Sequence, residues 1–160
     1  MTKIALGSGS QGKPGFINVD WIAQPGVDVV HNLLDFPYPF KDAEADYIEL
    51  IDVLEHMPSF TDDHKSFPIE FVRECWRILK PGGELVIQVP HWRSPNLWID
   101  PTHVRGYDDR SMDYFDPSTG LGSDYGYYSD RKFIVSSHHT YIGADVDGEP
   151  SNVIFKMLKV

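Results

Sequence analysis

With 160 residues, the chain has the size of one domain, and a domain of this size buries roughly 70% of its unfolded surface, enough for one core. A formal net charge of −10 repels a phosphate backbone, and the basic clusters Arg73-Arg77-Lys80 and Arg105-Arg110 are short, which argues against nucleic acid as a partner. No run approaches the ~18 apolar residues of a membrane span, no basic leader with an apolar stretch is visible, and the lone Cys75 excludes an intrachain disulfide. The expectation is one cytoplasmic domain over residues 1–160 with no membrane partner and an oligomeric state that cannot be read.

The first half alternates short apolar runs with Gly/Pro turns. Lys3-Ile4-Ala5-Leu6 reads as a strand ended by Gly7-Ser8-Gly9-Ser10. Residues 16–20, 27–31 and 46–51 read as three more β-rich runs, each bounded by turn residues. A helix is predicted over about 66–79, with Ile69, Val72, Cys75/Trp76 and Leu79 on one face, Ser66 as its cap and Pro68 in its first turn. Lys80-Pro81-Gly82-Gly83 stops it, and Glu84 to Val89 reads as a buried parallel strand.

Residues 91–131 are irregular, rich in Asp, Tyr, Gly, Ser and Pro, with a short helical stretch expected near Arg110 to Phe115. A segment this long without regular pattern is expected to be a functional loop or lid. The tail reads as an antiparallel hairpin, Lys132 to Ile142 and Asn152 to Val160, turning through Asp147-Gly148-Glu149-Pro150.

Gly7-Ser8-Gly9-Ser10-Gln11-Gly12 satisfies G-x-G-x-x-G, but Lys13-Pro14-Gly15 leaves almost no room for the helix that should follow in a dinucleotide site. A plain strand-to-loop turn is the bland alternative. Asp20 ends the second strand, where a carboxylate can accept both hydroxyls of a ribose. Asp35 follows the third strand, where it can accept from an adenine amino group while the next backbone N–H reaches a ring nitrogen. Either aspartate taken alone is equally a turn or cap residue.

The ordered set Leu6-Gly7-Ser8-Gly9-Ser10, Asn18-Val19-Asp20, Leu34-Asp35-Phe36-Pro37-Tyr38-Pro39-Phe40, Asp46, Val53-Leu54-Glu55-His56 and Leu79-Lys80-Pro81-Gly82-Gly83 resembles the class I S-adenosylmethionine-dependent methyltransferases over about residues 4–105, in a shortened, methyltransferase type 11-like form. The resemblance implies a Rossmann-like α/β fold: a mainly parallel sheet of order 3-2-1-4-5-7-6 with a C-terminal antiparallel hairpin, the first helix shortened or absent. It implies S-adenosylmethionine as cofactor, with Gly7, Ser8 and Gly9 under its methionine part and Asp20 on its ribose. Trp21 or Ile22 would flank the adenine, Asp35 and Phe36 would read its edge, and Asp52 would stand at the same site. The implied activity is methyl transfer to an O or N nucleophile of a small molecule or sugar.

Asp52, His56, His91 and His103 are expected at the carboxyl edge of the sheet, where ligands of open α/β sheets bind. A nucleophile that must lose a proton suits a histidine base, so His91 and His103, then His56, are the candidate catalytic residues; for His56 a structural role beside the cofactor is an equal alternative. Asp52, His56, His91, Asp100 and His103 include ligand types for zinc, but no tight His-x-x-x-His or Cys-x-x-Cys spacing supports them, and the expectation is no metal. His138 and His139 should face opposite sides of a strand. Tyr107, Tyr114, Phe115, Tyr125, Tyr127 and Tyr128 either wall an acceptor pocket in the lid or pack over the sheet edge. Two other functions remain open: a non-catalytic module of the same fold, and an NAD-dependent oxidoreductase or epimerase.

Overall fold

In a computed structural model, the chain is described over residues 1–140 and 150–160. Four parallel strands come first: β1 (Lys3–Leu6), β2 (Ile17–Asp20), β3 (Val29–Val30) and β4 (Ala45–Ile51). The helix α1 (Phe67–Ile78) leads into β5 (Leu79–Pro90), and β6 (Phe133–Thr140) and β7 (Asn152–Lys159) close the sheet. The seven-stranded order is β3-β2-β1-β4-β5-β7-β6, parallel from β3 to β5 and antiparallel across β5–β7 and β7–β6. This is the expected order. The proposed hairpin turn at 147–149 lies outside the described residues.

The continuous apolar strands are the central ones. Ile4, Ile48, Leu85 and Ile87 on the parallel strands are fully buried, and Phe155 and Met157 on antiparallel β7 join them in the core. Among the described residues no helix lies between β1 and β4, in keeping with the predicted loss of the first helix. Helix α1 buries Phe67, Phe71, Val72, Cys75 and Ile78, while Ile69 and Trp76 are only half buried. Its core face is thus turned toward Phe71, because the larger aromatic residues claim the interior. Ser66 stands at the cap position, but its side chain makes no cap bond; its carbonyl accepts from Ile69 and Glu70 instead. At the other end, the Lys159 ammonium donates to the Trp76 and Leu79 carbonyls at 2.8 and 2.7 Å, satisfying carbonyls that the helix leaves open.

Two expectations need correction. Lys80-Pro81-Gly82-Gly83 is not a gap between helix and strand. Leu79 already pairs with Ala45, and the register then jumps to Tyr47 with Glu84, so the tetrapeptide is an irregularity within β5. Residues 91–131 are also more ordered than their composition suggests. They hold α2 (Asn96–Ile99), α3 (Gly120–Tyr125) and 3-10 turns at Asp113–Phe115 and Gly126–Tyr128. The helical stretch expected at 110–115 is the first of those turns.

Asp116 is what fastens this segment to the sheet. It is 2% exposed, and its carboxylate accepts from Val135 N–H at 2.7 Å, Ser118 N–H at 2.8 Å and the Ser118 hydroxyl at 2.6 Å. Burial works against its ionisation, but these donors more than offset that and hold the carboxyl below its ordinary range. Among the described residues no helix is long and apolar enough to cross a membrane.

Candidate cofactor cleft and histidine rim

The tips of β1, β2 and β4 enclose a cleft of about 460 Å³, within the range of small-molecule sites. Gly7, Asp20, Trp21, Asn32, His56 and Met57 contribute to its walls. The glycine loop is held open by geometry that only glycine satisfies: Gly7 has φ +68°, and a Cβ on it would stand 2.5 Å from Val53 Cγ2. Gly12 is the second such position. It has φ +60°, and a Cβ would meet the Gly26 carbonyl oxygen at 2.6 Å.

Asp20 is 8% exposed and organises the loop. One carboxylate oxygen accepts from Gly9 N–H at 3.0 Å and the other from Ile22 N–H at 3.2 Å. Each oxygen keeps acceptor capacity toward the cleft. Ser8 Oγ is buried with no partner. A nucleoside with a positively charged, amino-acid-bearing tail fits this chemistry: an acidic ribose acceptor, a side-chain-free loop, a bulky exposed Trp21 and apolar Leu33, Leu34 and Met57. Trp21, 71% exposed, can cover a flat ring without displacing packing.

Other predicted contacts fall elsewhere. Ser8 and Gly9 do not line the cleft; Ser8 faces a smaller cavity with Lys13 and Glu49, and Gly9 is spent on Asp20. Asp35 and Phe36 lie in a neighbouring groove. The Asp35 N–H closes a turn on the Asn32 carbonyl, and Phe36 stacks on Tyr38 and tilts against Phe67. The edge of the cleft is instead Asn32-Leu33-Leu34, three residues earlier. Asn32 was missed because an aspartate drew attention, whereas an amide both donates and accepts.

The rim follows β4. Asp52 adopts φ +53°, a strained conformation for a residue with a side chain, and takes the chain into a 3-10 turn at Leu54–His56. Asp52 is exposed outside the cleft and accepts from Gln88 Nε2; desolvation by its surroundings raises its carboxyl despite that bond. Glu55 is 1% exposed, its Oε2 has no partner, and burial pushes its carboxyl up to about 7. The His56 and His103 rings meet edge to face with centroids 4.5 Å apart. His103 Nε2 stands 4.0 Å from Glu55 Oε1 and 3.9 Å from Asp100 Oδ2.

His91 does not join them. It is 4% exposed, and its Nε2 lies 3.3 Å from Asp109 Oδ1, the same oxygen that His139 approaches at 2.9 Å. The reason is topological: His91 follows Pro90, which pairs with Asn152 on β7, and His139 pairs with the adjacent Val153, so the sheet brings the two histidines together. His138 is exposed, as the strand alternation predicts. The aromatic group divides likewise. Arg105, Tyr107, Met112, Tyr114, Phe115 and Tyr128 help line a separate pocket of about 290 Å³, with Ser66 and Pro68 at the start of α1. Outside it, Tyr125 stacks on Tyr128 and Tyr127 packs tilted against the same ring.

The comparisons agree with this geometry. A family model described as a methyltransferase domain matches residues 13–87. A protein from Mycolicibacterium smegmatis, described as a probable S-adenosylmethionine-dependent methyltransferase, is 35% identical over 68 residues, covering 42% of this chain and 23% of its own length. The chain therefore spans about a quarter of that relative. Among solved structures, a SAM-dependent methyltransferase from Archaeoglobus fulgidus superposes with a TM-score of 0.61 at 16% identity, over 90% of this chain and 76% of the other. The 1,6-didemethyltoxoflavin-N1-methyltransferase of Burkholderia thailandensis, solved with its substrate and S-adenosylhomocysteine, gives 0.65 at 10% identity, over 99% and 71%. The chain is thus similar to class I S-adenosylmethionine-dependent methyltransferases, in sequence over the matched segment 13–87 and in fold through the strand order.

Proposed function

We propose that the chain transfers a methyl group from S-adenosylmethionine to an oxygen or nitrogen of a small acceptor. The observation that carries this reading is the cleft at the carboxyl ends of β1, β2 and β4, where Asp20 fixes a glycine loop and still has acceptor capacity for a ribose. The sulfonium methyl supplies the electrophile when the cofactor is bound; everything else is positioning. Asp20 would hold the ribose, Asn32 and the Leu33–Leu34 backbone the adenine edge, and Trp21 its face. Gly7 would leave room for the methionine part. His56, in the cleft wall, would stand beside the acceptor.

Segment 91–131 would form the acceptor side, with the pocket of Arg105, Tyr107 and Tyr114 as its binding surface. Its anchoring through Asp116 supports an ordered wall with local adjustments rather than a lid that folds on closure. His91 is set aside as a base because Asp109 and the Arg93 N–H occupy both ring nitrogens.

The test is turnover. The chain is incubated with S-adenosylmethionine and fractions of a small-molecule extract, and S-adenosylhomocysteine is followed by mass spectrometry with the methylated product. Production above the cofactor's spontaneous breakdown, abolished by Asp20→Ala, is expected. Tight cofactor binding without turnover in any fraction would favour the non-catalytic alternative, and binding of NAD in its place would reject the reading.

A further inference from the structure

Beside the cleft, Glu55, His56 and His103 each offer a ligand atom within 4.8 Å of the others. Their hydrogen bonds determine where the protons are. His103 Nδ1 lies 2.9 Å from the Leu97 carbonyl, which only accepts, so Nδ1 donates and the lone pair stays on Nε2. Thr102 Oγ1 gives its one proton to Asp100 Oδ1 at 2.7 Å; it must therefore accept from His56 Nδ1 at 2.8 Å. That leaves the His56 lone pair on its Nε2 as well. Glu55 adds an Oε2 that has no partner although the residue is 1% exposed.

With both rings neutral and Glu55 ionised, the cluster presents only acceptors, and among the described residues no outside side chain donates to either Nε2 or to Glu55 Oε2. A buried, unpaired carboxylate oxygen is unfavourable by itself. The surroundings add negative charge, since Asp52 and Asp100 both act electrostatically on Glu55. Among the described residues no lysine or arginine forms an ion pair with any of these three carboxylates. Both histidines are oriented from behind, one by a carbonyl and one by a hydroxyl–carboxylate pair, which is how histidines that bind metal are held.

We infer that Glu55, His56 and His103 form a binding site for a divalent first-row cation at the edge of the cofactor cleft. Two imidazoles and one carboxylate suit zinc, manganese, iron or cobalt better than magnesium or calcium. Ligand atoms at 2.0–2.2 Å from one ion stand roughly 3–3.5 Å apart, so atoms now within 4.8 Å of one another draw together by up to roughly 1.5 Å on binding. The three residues leave coordination positions open, and His56 lines the cleft, so an acceptor oxygen could complete the shell next to the cofactor. Only this last clause rests on the proposed methyl transfer; the cation site stands on the geometry.

A second cluster, His91, Asp109 and His139, has similar composition and serves as the internal control. There the Arg93 N–H donates to His91 Nδ1 at 3.3 Å, which places the ring proton on Nε2 against Asp109. That cluster already has its donor.

The experiment titrates cobalt(II) into chelator-treated chain and follows visible d–d absorption and the thermal midpoint. One saturating equivalent with nitrogen-ligand bands and a raised midpoint is expected. His56→Ala and His103→Ala should each weaken binding on the order of 100-fold or more, and Thr102→Val, which only orients His56, by roughly 10- to 100-fold. His139→Ala should bind as the parent does. Circular dichroism confirms that each variant is folded, and His56→Ala, at a half-buried residue, keeps the test open if His103→Ala does not fold. No saturable cobalt binding, binding indifferent to His56 and His103, or binding lost only in His139→Ala would overturn the assignment. S-adenosylmethionine is titrated separately: cofactor binding without cobalt binding defeats the cation site alone, and the converse defeats the cofactor reading alone.

Discussion

Replacing Asp20 by alanine removes two kinds of interaction at once. The carboxylate holds Gly9 and Ile22 by hydrogen bonds of 3.0 and 3.2 Å, and in the proposed complex it also accepts from the ribose. Bonds to a charged group contribute about 1.5–3 kcal/mol, so loss of the ribose contact should raise the dissociation constant of S-adenosylmethionine roughly 10- to 150-fold. Loss of the loop bonds should cost a comparable amount of stability, lowering the midpoint by roughly 3–10 °C for a domain of this size. Isothermal titration with the cofactor and with S-adenosylhomocysteine measures the first, and calorimetry of the apoprotein the second. A 2′-deoxy analogue separates the two roles: it should bind less well to the parent chain, with little further loss in Asp20→Ala. A folded Asp20→Ala chain that binds the cofactor within about twofold of the parent would refute the reasoning.

Other outcomes follow from the same geometry. Asn32→Ala should weaken cofactor binding about 10-fold while Asp35→Ala leaves it nearly unchanged, since only Asn32 lines the cleft; titration showing the reverse would restore the sequence-based assignment. Gly7→Ala forces a side chain into φ +68° and against Val53, costing about 1–2 kcal/mol for the conformation alone, and Val53→Ala should recover part of the loss in thermal melts. Asp116→Ala should destabilise the chain by about 1.5–3 kcal/mol and increase amide exchange in residues 111–128 first. Because the Asp116 carboxyl is held below its ordinary value, its contribution is full above pH ~4, the unfolded range, and is lost as pH falls through the depressed folded value. The parent chain should therefore lose more stability than Asp116→Ala between neutral and strongly acidic pH; parallel losses would contradict this.

How much of this was legible in the sequence follows from how local each signal is. Strand positions came from short apolar runs punctuated by glycine and proline, strand order came from the family resemblance, and Asp20 came from its place at the end of such a run. The site residues that fall elsewhere than expected depend on distant partners. Asp35 was named because residue type was visible and loop curvature was not; Asn32 lines both the cleft and the neighbouring groove, whereas Asp35 lines the groove alone. His91 and His103 looked equivalent in the sequence, but the pairing of β6 with β7 carries His139 to one of them and not to the other. Segment 91–131 read as irregular because its order comes from Asp116 reaching Val135 on β6, a contact no local pattern announces. His56 and His103 were expected on one rim, but Glu55 was not: it is brought to His103 by the Val104 N–H donating to its carbonyl, a contact across 49 positions.

A crystal structure of the chain with S-adenosylhomocysteine would show where the cofactor sits. The account predicts adenosine density between Trp21 and Met57, ribose hydroxyls on Asp20, the adenine edge at Asn32–Leu34 and the homocysteine tail over Gly7. Density in the Asp35–Phe36 groove, in the Tyr107–Tyr114 pocket, or absent from the cleft at saturating ligand would contradict it.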